Sequence, residues 1–90
     1  MKKGIITVVG QDQVGIIAEV CGFLAKNEIN ILDISQTIIE GYFNMMMIVD
    51  ISNLTNDFGA VSKDIESLGT NIGVNIKLQH EDIFNKMHRI

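Results

Sequence analysis

The residues best suited to do chemistry are Gly10-Gln11-Asp12-Gln13-Val14-Gly15-Ile16. An apolar run from Ile5 to Val9 stops at Gly10, and a helical pattern starts just beyond it, with Ile17, Cys21 and Leu24 at i, i+4 and i+7 beside Val20. A strand-to-helix turn with a glycine at each end and one carboxylate between them aims the first N–H groups of a helix out of the end of a sheet. Those donors and the positive end of the helix dipole attract an anionic group. Gly15, without a side chain, lets a ligand or a second backbone come close. The same residues also fit a purely structural turn, in which Asp12 caps the helix and the glycines only make the bend. The sequence leaves both readings open.

Three other groups of residues could carry chemistry and are better explained without it. Met45-Met46-Met47 suggests soft-metal binding, but on a strand the three side chains alternate in direction and cannot converge, so core or interface packing is the expected role. His80 and His88 with Glu81 and Asp82 do not have a zinc spacing and read as a solvated tail. Cys21 lies past the first helical turn, away from the helix end that would activate a thiol, and a buried structural role is expected. No serine stands with a histidine and an acid in a nucleophilic arrangement, so no enzyme is expected.

The elements that must position the turn follow from hydrophobic period. Residues 3–9 read as a first strand and 14–26 as a first helix, apolar over much of its circumference. Asn30 to Ile39 reads as a second strand with Leu32, Ile34 and Ile38 on one face and Ile31, Asp33, Ser35, Thr37 and Ile39 on the other. Glu40-Gly41 makes a hairpin turn into a third strand, Tyr42 to Ile51. Phe58, Val61, Ile65 and Leu68 recur as the buried stripe of an amphipathic second helix, with Asp57 or Asn56 to cap its start and Gly69 its end. Val74, Ile76 and Leu78 alternate with polar residues in a fourth strand, and 81–90 carries the spacing of a short final helix. The order βαββαβ with right-handed crossovers gives an α+β, ferredoxin-like sandwich: a four-stranded antiparallel sheet with two helices on one face.

Ninety residues fit a single domain, with a core at 3–80 and an extension at 81–90, and 47% apolar content supports a real core. A net charge of −4 with scattered basic residues argues against a nucleic-acid surface or a polybasic membrane face. One cysteine and no signal-peptide pattern or long apolar run lead to the expectation of a reducing, cytoplasmic setting.

Fold alone does not fix function, because this architecture hosts unrelated sites. A copper-chaperone-type domain needs two cysteines in the first turn, and the chain has one, further on. An RNA-recognition domain stacks bases on aromatics of the central strands, whereas Tyr42 and Phe43 are adjacent and so face opposite ways. An acylphosphatase-like enzyme needs an arginine in the turn, and Arg89 is the only arginine. What remains is a resemblance. Gly10, Asp12, Gly15 and Ile16 in the first turn, with Asn30, Ile31 and Asp33-Ile34-Ser35 in the second strand, resemble an ACT domain over about residues 3–80, and most nearly the short stand-alone ACT proteins related to the glycine-cleavage transcriptional repressor. One departure is Val14, where that family usually has proline; Val14 keeps an N–H that proline lacks and leaves the turn less rigid.

The resemblance implies a regulatory, non-enzymatic module that binds a small molecule, typically an amino acid, at a homodimer interface, with no cofactor. The ligand-binding residues it implies are Asp12, Val14, Gly15, Ile16, Asn30 and Ile31. Backbone N–H groups of Val14, Gly15 and Ile16 would receive a carboxylate; Asp12 and the side-chain carbonyl of Asn30 would receive an ammonium group. The other reading of Asn30 is a turn-former at a strand start. The alternative to a sensor is a structural dimerisation module with an empty turn.

Overall fold

The computed structural model describes residues 2–11 and 13–82. Asp12, and residues 83–90 of the expected final helix, lie outside the described residues. The elements are β1 (Lys3–Gln11), α1 (Ile16–Lys26), β2 (Asn30–Ile39), β3 (Tyr42–Asp50), α2 (Phe58–Ile72) and β4 (Val74–His80). All three strand pairs are antiparallel and the sheet order is β2-β3-β1-β4, so β1 and β3 are central and β2 and β4 are the edges. This is the ferredoxin-like arrangement that the element order demands.

One face of the sheet makes the core. Ile6 and Val8 of β1, Phe43, Met45, Met47 and Val49 of β3, and Val74, Ile76 and Leu78 of β4 pack in one cluster with Ile16, Val20 and Leu24 of α1 and Val61 and Ile65 of α2. The methionine triplet divides as a strand must: Met45 and Met47 are buried and Met46 faces outward. The α1 stripe runs Ile16, Val20, Leu24, with Phe23 partly buried beside it; Ile17 is 40% exposed and Cys21 is half-buried rather than enclosed.

The chain turns where local chemistry permits. Glu40 and Gly41 both have positive φ, +49 and +83, the pair of left-handed residues a two-residue hairpin uses to match strand twist. α1 ends without glycine: Glu28 takes φ +59, Ile29 N–H bonds Leu24 O at 2.9 Å, and the buried Asn27 amide donates to Phe23 O at 2.9 Å. After β3, hydrogen bonds from the Ser52 side chain and from its backbone N–H, the latter to Asp50 Oδ1 at 2.9 Å, hold the Asp50 carboxyl below its ordinary value.

Three expectations need correction. α1 begins at Ile16, not Val14, because Gly15 takes the N-cap position at φ +95. α2 does not end at Gly69. It continues to Ile72 and closes on Gly73 at φ +83, while Gly69 lies where an added Cβ would stand 2.7 Å from Val74 O, so its role is close helix–strand approach. In β2 the register slips between Ile31 and Asp33, a bulge at Leu32. Ile31 pairs with Val49 and Ile34 with Met47, which places Ile31, Ile34, Gln36 and Ile38 on the helix side and Asp33, Ser35, Thr37 and Ile39 on the other. Ile31 therefore lies on the face opposite to the one its spacing indicated.

Candidate functional site

Gly10 leads out of β1 on a crowded side, where an added Cβ would meet Val74 Cγ1 at 2.7 Å. Beyond Gln11 the chain is exposed through Gln13, Val14 and Gly15 and becomes buried again at Ile16. Val14 lies outside the helix, and only the backbone of Ile16 is free to face a ligand, because its side chain is in the core. Gly15 has nothing within 4 Å of where a Cβ would stand, so space is open in front of it. The first intrahelical bond is Glu19 N–H to Gly15 O at 3.0 Å; the N–H groups of Ile16, Ile17 and Ala18 precede it and have no carbonyl acceptor within the helix. The N-cap position falls at Gly15, three residues past Asp12.

The turn is one wall of a cleft of about 270 Å³ lined by Gln13, Val14, Gly15, Ile16, Glu19, Asn71 and Ile72. The other wall is the last turn of α2. Two helix ends of opposite sign therefore share one opening: the N–H end of α1 and the C=O end of α2. No basic side chain lies in the last turn of α2 to offset its negative end, and Glu19 adds a carboxylate from the first turn of α1. Gln13 crosses between the walls, its Nε2 donating to Ile72 O. Such an opening can hold a small molecule with a negative and a positive end.

The implied site residues do not all meet in one chain. Val14, Gly15 and Ile16 share the cleft. Asn30 and Ile31 begin β2, where Asn30 pairs with Asp50, which in turn pairs with Lys3. The turn follows Gln11, which pairs with Tyr42 opposite Ile39. Asn30 thus lies at the other end of the sheet, roughly 26 Å away along eight residues of strand. Sequence reasoning missed Gln13, Glu19, Asn71 and Ile72 as lining residues. Glu19 had a signal, an acid in the first turn of a helix; Asn71 and Ile72 come from a distant element and had none.

Elsewhere, His80 stacks on Phe58 with ring centroids 3.9 Å apart, and among the described residues no group of three or more His, Cys, Asp or Glu could hold a metal ion. His88 lies outside the described residues. Among the same residues no helix is long and apolar enough to cross a membrane.

The fold and the glycine-flanked turn define the class: a ferredoxin-like domain with an exposed strand–helix turn. The chain belongs to the ACT domain family, whose model matches residues 4–79. It is 64% identical to a UPF0237 protein of Bifidobacterium longum over 90 residues, covering 100% of both chains. Among solved structures it is similar to an ACT domain protein from Streptococcus pneumoniae, with a TM-score of 0.81, 43% identity, and coverage of 92% of this chain and 93% of that one. A protein assigned as a glycine cleavage system transcriptional repressor shares the fold at a TM-score of 0.73 and 23% identity, over 88% of this chain and 45% of that one. ACT domains are commonly regulatory small-molecule-binding domains.

Proposed function

We propose that the protein is a dimeric, non-enzymatic sensor of an amino acid or a similarly small zwitterion. The observation that carries this reading is the meeting of the α1 start and the α2 end in one cleft. A carboxylate is received by the N–H groups at the start of α1, and an ammonium group by Glu19 and the last carbonyls of α2, with Asp12 adjoining the same turn in sequence. At about 270 Å³ the cleft lies below the usual range for drug-sized ligands and suits a metabolite.

Asn30 and Ile31 join this site only from a second copy. Two-fold pairing of β2 edges runs the strands antiparallel, which brings the Asn30 end of one copy to the Ile39 end of the other, the end from which the turn departs. The two edges are not equivalent. β4 carries Lys77 in the middle of its exposed face, a charge that discourages edge pairing. β2 from Ile34 to Ile39 has no charge, and its Ile34, Ile38 and Ile39 are 45%, 56% and 59% exposed.

Thermal shift against the twenty amino acids tests the reading. A ligand that binds only the native state raises the midpoint by mass action, equivalent to about 2.7 kcal/mol at a hundred times Kd. At least one amino acid is expected to do so; no shift with any at millimolar concentration would favour a structural dimerisation module instead.

A further inference from the structure

Among the described residues, the turn that follows β1 has no anchor in the core: Gln13, Val14 and Gly15 are all exposed. Among the described residues, its one side-chain hydrogen bond runs from Gln13 Nε2 to Ile72 O, 59 residues on. That acceptor is one of the carbonyls a helix end leaves over. One residue later Gly73 turns the chain directly into β4. The Gly73 N–H closes α2 on Gly69 O and Thr70 O, as the Glu19 N–H closes the first turn of α1 on Gly15 O. Gln13 therefore ties together two helix ends, each formed on a left-handed glycine.

We propose that Gln13 is a latch, a positioning residue whose amide holds the β1–α1 turn against the end of α2. When a ligand displaces the turn, the amide leaves Ile72 O and loosens the last turn of α2 and, through Gly73, the start of the edge strand β4. Occupancy of the turn is thereby passed to the edge strand that neighbours β1, whose Val74 stands opposite Gly10. The proposal rests on the turn being the ligand-contacting element, but its test needs no ligand.

The test is amide hydrogen exchange, read by NMR at Gly73 and Glu19 in Gln13→Ala, Gln13→Glu and Gln13→Lys. Loss of the donor in Gln13→Ala is expected to speed exchange at both amides about five-fold, the factor that one net hydrogen bond carries. Gln13→Glu sets a negative charge against the negative end of α2 and is expected to speed it further. Gln13→Lys keeps a donor and adds the charge that end favours, so Gly73 stays close to the parent. Ile6 and Val8, deep in the core, stay protected in all three and report that folding is intact. Unchanged Gly73 exchange in the Ala and Glu variants, or acceleration in the Lys variant equal to theirs, overturns the latch without touching the ligand reading. A failure of every amino acid to raise the melting midpoint overturns that reading and leaves the coupling between the two helix ends standing.

Discussion

At the scale of single residues, the turn separates what a side chain does from what the backbone does. Gly15 faces open space, yet its φ of +95 is one that L side chains rarely adopt. Gly15→Val is therefore expected to cost about 1–2 kcal/mol through backbone strain alone, measured by chemical denaturation, and a ligand effect in that variant would be confounded. Gly15→Asn, which tolerates the left-handed region, fills the same space at less cost. Asp12→Asn keeps a polar side chain and removes the charge; it is expected to leave the apparent melting temperature unchanged and to abolish the ligand-induced shift. Full retention of that shift would take Asp12 out of the site. The turn was legible in the sequence because its chemistry is local, glycines around a carboxylate between a strand and a helix. Asn71 and Ile72 were not legible, since only the antiparallel packing of two helices brings the end of one to the start of the other.

At the scale of elements, two glycines in helices make opposite demands. Gly69 is buried where an added Cβ would stand 2.7 Å from Val74 O and 2.9 Å from Ile76 Cγ1. Gly69→Ala improves intrinsic helix propensity but forces backbone against backbone, and the net result is expected to be a loss of about 1–3 kcal/mol. Gly22 of α1 meets nothing within 4 Å, and Gly22→Ala is expected to gain about 0.5–1 kcal/mol. Paired urea denaturation curves check both, and equal signs would refute the close-approach account of α2. The same pair shows why element existence was readable and some detail was not. The periods of 2 and 3.6 placed every described strand and helix, and Glu40-Gly41 announced the hairpin. A capping rule applied to α2 stopped at the first glycine, although Gly69 serves packing and Gly73 serves the positive φ. In β2, strict alternation failed at Leu32, because a bulge inserts a residue without changing composition.

At the scale of the whole molecule, a sheet with helices on one face leaves two edges, and of these only β2 offers a six-residue uncharged run, Ile34 to Ile39. Sedimentation at micromolar concentration is expected to show a species of twice the 10.0 kDa chain mass; a clean monomer, with or without amino acid, would remove the shared-site model. The bulge at Leu32 then limits the geometry of that pair more tightly than the edge alone. Strand beyond it, Ile34 to Ile39, alternates regularly. Two copies related by a two-fold axis through a continuous sheet must set same-face side chains opposite each other, so the residue numbers of each facing pair sum to an even value. The axis consequently passes beside a residue that meets its own copy. Centring on Gln36 sets Ile34 against Ile38 on the helix side, whereas centring on Thr37 would set Gln36 against Ile38. Apolar matching selects the first. In a Cys21→Ala background, Gln36→Cys is therefore expected to form a disulfide-linked dimer on mild oxidation, since facing Cα atoms at about 4.5–5.5 Å suit that bond, while Thr37→Cys stays monomeric on a non-reducing gel.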